Sequence, residues 1–299
     1  MQRELRDFYD FNGNITNKTY FKGDPVPQGY YPMVVMVAIQ NKKGEFLMQK
    51  RVASKGGDWG VTGGHPKHGE TPIQGMITEI KEELGINVLP EKLEEFCSGC
   101  DGVDCFKMYY ANLDLEISSL KIQKEELSEV KWFSIEKLQE MVKTRELNQN
   151  QITCFLKCLN YLKNQKKYYF KYQFPSNKEF ISLFESVGWN RTEDRINKIR
   201  LNSCYSVCVY ENNQIVGMGR VVGDGCYFTI YDIVVNKEKQ SKGIGSLIIK
   251  EIINWYKTIK DDDTYLYCGA SKNKEYFYEK FGFKVRPNDD VGAGMKWYE

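Results

Sequence analysis

The sequence predicts two domains that each mix helices and strands, α/β in the first half and α+β in the second. Three observations lead there. The chain has 299 residues, more than the roughly 100–200 that one core usually serves. Apolar runs of strand length alternate with segments of helical period in both halves. A lysine-rich stretch, Tyr161 to Tyr172, separates the two patterns.

Met33 to Ile39 and Phe46 to Arg51 are apolar runs on either side of Asn41 to Gly44, which reads as two strands joined by a tight turn. From Thr71 to Leu84, Ile73, Met76, Ile77, Ile80 and Leu84 recur at helical spacing. Thr71 suits the N-cap, Gln74 completes a capping box, Pro72 suits the first helical position and Gly85 the C′ position. Ile152 to Leu162 is again helical, and a break near Asn164 to Lys167 divides the chain into residues 1–165 and 166–299. Asn177 to Val187 predicts a helix. Cys204 to Tyr210, Ile215 to Val222 and Tyr227 to Val235, separated by Glu211 to Asn213 and Gly223 to Gly225, predict an antiparallel meander. An apolar helix over Ser246 to Trp255 follows.

Basic and acidic side chains nearly cancel, 42 against 40, so no global field favours nucleic acid or a membrane surface, and an anionic ligand has to be held locally. No run approaches the roughly 20 apolar residues of a membrane span, and Met1 to Asp10 is charged without an apolar h-region, so the expected location is the cytoplasm. The nine cysteines show no framework spacing and read as thiols in a reducing compartment. Cys97, Cys100 and Cys105 could offer thiolates to zinc, but no fourth ligand is evident, and buried or partly buried free thiols are the simpler reading.

On the predicted helix, Glu79, Glu82 and Glu83 fall at i, i+3 and i+4 and share one side. Two such charges 4 Å apart repel by about 1 kcal/mol in water and about 4 kcal/mol at an effective dielectric of 20. A divalent cation with a taste for oxygen, Mg2+ or Mn2+, reverses that sign. Alone, the spacing is more simply read as a solvated acidic face.

Its surroundings are more specific. Gly64 to Ile86 follows G-x5-E-x7-x-E-U-x-E-E-x-G-U, where U is a bulky aliphatic, and so resembles the Nudix box. Glu129 to Leu138 resembles the closing strand and helix of Nudix domains, which extends the resemblance over about residues 1–165. It implies an α/β/α sandwich in which Glu79, Glu82 and Glu83 hold the metal, aided by the carbonyl of Gly63. Water then attacks a phosphorus of a small diphosphate substrate, with Glu82 and Glu83 as catalytic residues. Thr78 stands where the family has an arginine that orients the glutamates by bidentate contact. Gly64 to Glu70, GHPKHGE, also resembles the type I isopentenyl diphosphate isomerase loop, with His65 as a metal ligand. Gly63 stands where that isomerase has its catalytic cysteine. Hydrolase, non-catalytic diphosphate-binding module and isomerase are thus three readings of the first half.

In the second half, Gln240 to Gly245 joins a strand to a helix. Glycines there let backbone N–H groups converge on phosphate oxygens at the positive helix end, although G-x-G by itself also describes a tight turn. Tyr231 to Ile252 resembles the acetyl-CoA-binding segment of GNAT acetyltransferases, and Tyr276 to Phe283 their next helix and strand. The resemblance spans about residues 168–299 and implies a central mixed sheet flanked by helices. Backbone groups of Ile233, Val234 and Val235 would pair with the pantetheine arm. Gln240, Ser241, Lys242, Gly243, Ile244, Gly245 and Ser246 would cradle the pyrophosphate. Tyr278 would protonate the leaving thiolate, a step suited to a phenol of pKa near 10 facing a thiol near 8.5; otherwise it is a core aromatic. Asp232 is the candidate base, with a water chain as the alternative, since a position acidic in some relatives is Thr229. Arg220 to Gly225 and Gly292 to Met295 resemble acetyltransferases of arylalkylamines and related small amines. Together the two resemblances imply a bifunctional enzyme acting on small molecules.

Overall fold

The computed structural model describes residues 3–144, 146–147, 149–164, 166–289 and 292–295. In chain order the first unit holds β1 (Leu5–Tyr9), β2 (Ile15–Phe21), β3 (Met33–Gln40), β4 (Phe46–Arg51), β5 (Trp59–Gly60), β6 (Thr62–Gly64), α1 (Pro72–Leu84), β7 (Glu94–Cys100), β8 (Cys105–Asn112), β9 (Leu127–Phe133), α2 (Ile135–Thr144), α3 (Gln149–Lys163) and β10 (Tyr169–Tyr172).

Strand β3 is apolar on both faces because both are covered. On one side Val35, Val37 and Ile39 pack with Met76, Ile80 and Leu84 of α1. On the other, Phe46 of β4 meets Phe155 of α3 edge-on, with 5.6 Å between ring centroids. Helix, sheet and helix are the layers expected from the sequence. The α1 boundaries are also as read: Thr71 and Gln74 form the reciprocal capping box, Pro72 opens the helix, and Gly85 closes it at φ 71°.

The turn at Asn41–Gly44 forms as expected, with the Asn41 side chain accepting from the backbone of Lys43 and Glu45. The strands it joins then part. They pair only at Gln40↔Phe46, while β3 runs parallel to β8 and antiparallel to β6, and β4 pairs with β9 and β5. Helix α3 ends at Lys163, in the expected break, of which Gln165 lies outside the described residues. The chain then returns as β10 and pairs in parallel with β7 through Phe170↔Cys97 and Tyr172↔Gly99. The compact units are accordingly Met1–Tyr172 and Gln173–Glu299, where the sequence places the division after residue 165.

One expectation about the cysteines is corrected. The turn after β7, held by Asp101 accepting from Val103 and Asp104, sets Cys100 opposite Cys105 in the β7–β8 register. The two are joined by a disulfide with Cα atoms 3.9 Å apart. They are not thiols, and the zinc option with Cys97 falls away.

The second unit holds α4 (Asn177–Glu185), α5 (Glu193–Leu201), β11 (Tyr205–Glu211), β12 (Gln214–Gly223), β13 (Tyr227–Val235), α6 (Ile244–Ile259), β14 (Tyr265–Cys268) and α7 (Glu275–Glu279). The meander β11–β12–β13 is antiparallel as expected, and β14 adds in parallel to β13, so the sheet is mixed. Helix α6 is longer than read, because Ile244 already belongs to its apolar stripe with Ile248, Ile249, Ile252 and Tyr256. It lies so close to β12 that a Cβ on Gly219 would stand 2.5 Å from Ile248. Among the described residues no helix is long and apolar enough to cross a membrane.

Ile80 is 0% exposed between α1 and the sheet. Ile80→Ala should therefore lower the unfolding free energy by about 2–5 kcal/mol, read from urea denaturation as a lower midpoint with an unchanged slope. A loss below about 0.5 kcal/mol, the level of surface changes, would contradict the packing described.

Candidate active sites of the two units

In the first unit, β6 and the loop after it press against the acidic side of α1. A Cβ on Gly64 would stand 2.1 Å from a Glu79 carboxylate oxygen, so only glycine admits that side chain here. Glu79 accepts a hydrogen bond from the His65 backbone N–H at 3.1 Å. Glu83 accepts from Gln49 Nε2 at 2.7 Å and from the backbone N–H of Gly63. Glu82 is ion-paired with the Lys67 ammonium. Burial, above all, pushes Glu79 up to about 7. Burial, followed by the charges of Glu79 and Glu126, pushes Glu83 up to about 8.

Thr78 stabilises the loop instead of the glutamates. Its hydroxyl donates to Glu70 at 2.7 Å, and the other Glu70 oxygen accepts from the backbone of Lys67 at 2.8 Å. The β1–β2 hairpin secures the same loop from outside. Asp7, only 6% exposed, contacts His68 Nδ1 at 2.7 Å and accepts from the Gly69 backbone at 2.8 Å. Beside it, the buried Arg6 is paired with Glu4 at 2.8 Å. Burial first, then the charges of Arg6 and Lys22, lowers His65 to about 4, so its imidazole is neutral at pH 7. A further carboxylate, Glu126, pairs with Lys55 at 2.6 Å.

Asp7, Gln49 and Glu126 escape sequence reasoning because no local spacing marks them; they meet the loop and α1 only through the topology. The structure does place Glu79, Glu82 and Glu83 on one helix, but it turns each to a different partner. Among the described residues no three His, Cys, Asp or Glu side chains converge closely enough to enclose an ion. The donors nevertheless suit a hard divalent cation, since they are all oxygen and include the buried Glu83 and the half-buried Glu79, carboxylates whose ionised form such an ion would stabilise.

In the second unit, β13 carries a bulge. Met218 faces Val234 and Arg220 faces Tyr231, so Asp232 and Ile233 together oppose Gly219. Asp232 sits at φ 51°, ion-paired with Arg220, whose guanidinium also lies 5.3 Å from the Tyr231 ring centroid. Pairing between β13 and β14 ends at Ile230↔Cys268, and the backbone from Tyr231 to Val235 continues without β14 on that edge. Gln240 Nε2 donates to the Val235 carbonyl at 3.1 Å. Ser241 and Gly243 adopt φ 61° and 82°, and α6 begins at Ile244. Ile244 and Val234 are buried, Lys242 is exposed, and Gly245 and Ser246 are partly so. Tyr278 is half-buried, with its ring edge-on to Phe277 and Phe283. Burial, then the neighbouring Cys268, raises its phenol above the ordinary value.

A three-layer sandwich with acidic helix and glycine loop, followed by a mixed sheet that opens beside a strand-to-helix turn, defines a chain of two enzyme domains. The NUDIX domain profile matches residues 30–155, and the acetyltransferase (GNAT) domain profile matches residues 191–299. An uncharacterized Nudix hydrolase of Listeria innocua is 34% identical over 139 residues, 44% of this chain and 81% of that protein. An uncharacterized N-acetyltransferase of the red alga Pyropia yezoensis is 31% identical over 126 residues, 40% of this chain and 70% of that protein. A solved structure of a probable acetyltransferase from meticillin-resistant Staphylococcus aureus is 30% identical, with a TM-score of 0.39, covering 44% of this chain and 99% of that one. The chain belongs to the Nudix hydrolases through its first unit and to the GNAT acetyltransferases through its second.

The shifted groups fix a pH dependence for the metal-free protein. Glu79 and Glu83 are raised from 4.5 to about 7 and about 8, so their contribution to stability is full below pH 4.5 and is lost as pH rises through those values. His65, lowered from 6.5 to about 4, acts oppositely, its contribution present above pH 6.5 and lost as pH falls through about 4. Above pH 6.5 only the carboxyl effect remains of these three. The melting temperature without metal should therefore fall from pH 6.5 to about 8.5, and Mn2+ should reverse the fall. A flat profile in that window would contradict the burial of the two carboxyls.

Proposed function

We propose that the chain is a bifunctional enzyme that hydrolyses a diphosphate-linked small molecule with a divalent metal and transfers acetyl from acetyl-CoA to a primary amine. The observation that carries the first activity is that the buried Glu83 and the half-buried Glu79 lie on α1 beside Gly63 and Gly64. Glu79, Glu82, Glu83 and the Gly63 carbonyl would hold Mg2+ or Mn2+. When bound, the ion supplies charge neutralisation at the phosphate oxygens and an acidified water. Gln49, the Gly63 amide and the His65 amide hold the carboxylates in place, and the neutral His65 leaves their negative charge uncompensated. Isomerase chemistry is not proposed, because Gly63 offers no thiol. Lys67 bonded to Glu82 favours, as a second reading, a module that binds a diphosphate without cleaving it.

The second activity rests on the edge of β13 that β14 leaves open at Ile233 to Val235, next to the loop Gln240 to Ser246. Acetyl-CoA would lie there, its pantetheine amides against the strand and its pyrophosphate at the start of α6. The amine nitrogen then bonds to the thioester carbon as the C–S bond breaks. Its proton passes to water or to Asp232, which would have to loosen its Arg220 pair, and the thiolate receives a proton from the Tyr278 hydroxyl. The balanced charge supports small-molecule substrates over nucleic acid.

Two substitutions test the assignments separately. Glu83→Gln should reduce metal-dependent hydrolysis, assayed over a panel of diphosphate compounds, by more than about 10²-fold while acetyl transfer is retained. Unchanged hydrolysis would remove Glu83 from the metal site, and absence of hydrolysis by the parent would favour the binding module. Tyr278→Phe keeps the ring and deletes the acid, so kcat of acetyl transfer should fall by ~10²-fold at saturating acetyl-CoA with little change in acetyl-CoA affinity. Turnover within about twofold of the parent would leave Tyr278 a packing residue.

A further inference from the structure

Gln49 breaks the pattern of its strand. Along β4 the neighbours Phe46, Leu47 and Met48 are apolar and buried, and Gln49 is equally buried, at 5% exposure. A primary amide in such a place costs free energy unless both its ends are bonded. Both are. Nε2 donates to Glu83 Oε2 at 2.7 Å, and Oε1 accepts from the Thr62 hydroxyl at 3.0 Å. Thr62 is itself buried on β6, immediately before the Gly63 whose backbone N–H also reaches Glu83.

The contacts fix which way the amide faces. The same amide atom that meets Glu83 also faces the Val61 carbonyl at 3.5 Å, an oxygen that can only accept, so it is the donor, and the amide oxygen is left to take the threonine proton. Residue 78, whose hydroxyl is spent on Glu70, gives Glu83 nothing. We propose that Gln49, oriented by Thr62, is the positioning residue of Glu83 and supplies from β4 the grip on the metal-ligating carboxylate that residue 78 does not. The proposal rests on Glu83 as a metal ligand. Its chemistry differs from that of a guanidinium. A neutral amide orients the carboxylate without cancelling its charge, so one Glu83 oxygen is anchored while the negative charge remains available to a cation.

The test measures Mn2+ binding to the full chain by paramagnetic resonance, without substrate, and uses the metal-free thermal unfolding of each variant, followed by circular dichroism, as a control for a folded first unit. Gln49→Met keeps length and volume but deletes both hydrogen bonds, and should weaken Mn2+ binding by about 10- to 100-fold, the range for partners that orient metal ligands. Thr62→Val, which removes only the bond that sets the amide, should shift affinity in the same direction by less, and carries the test if Gln49→Met does not fold. In a Glu83→Gln background, Gln49→Met should have no further effect, because a residue acting through Glu83 has nothing left to position. Affinity within twofold of the parent in both single variants, or an equal loss with and without Glu83, would overturn the proposal while leaving the metal site standing. A parent that does not bind Mn2+ would overturn the metal reading and this proposal with it.

Discussion

Turning two carboxylates toward the sheet from α1, Glu83 buried and Glu79 half-buried, disfavours their ionised forms, and much of the first unit's local architecture answers that constraint. Gly64 exists as glycine so that Glu79 can lie against β6. The backbone of His65 turns inward to donate to Glu79, and Gln49 occupies a core position that an aliphatic side chain would otherwise fill. The histidine beside them is kept neutral by burial and by flanking cations. These features converge on the two carboxylates.

The second unit meets a different constraint, that of exposing backbone without losing the sheet. A bulge at Asp232 and Ile233 bends β13 just beyond its last pairing with β14. The strand there keeps its antiparallel bonds to β12 on one edge while the other edge is open. The Arg220–Asp232 pair spans the bulge and holds it. A carboxylate that looks like a base in the sequence thus has a structural occupation, and its pair with Arg220 holds a non-glycine residue at positive φ.

Features written in adjacent residues were legible in advance. The caps of α1, the Asn41–Gly44 turn, the three-strand meander and the glycine loop before α6 each depend on residues within a few positions of one another. Features that need distant partners were not. The divergence of β3 from β4 is decided by β8 and β9, and the return of β10 by β7. The Cys100–Cys105 bond depends on a register that the cysteine count does not reveal. At the candidate site the glutamates were visible as a spacing, whereas Gln49, Asp7 and Glu126 come from other strands and loops and carry no motif.

The β1–β2 hairpin precedes the matched Nudix range, yet Asp7 binds the glycine-histidine loop and the charge of Arg6 acts on His65 within it. Sequence similarity and physical integrity thus draw different borders around the same unit. Homology marks residues 30–155, while the loop after β6 is fastened from outside that range. A fragment trimmed to the matched range would therefore leave His68 and Gly69 without the carboxylate that holds them.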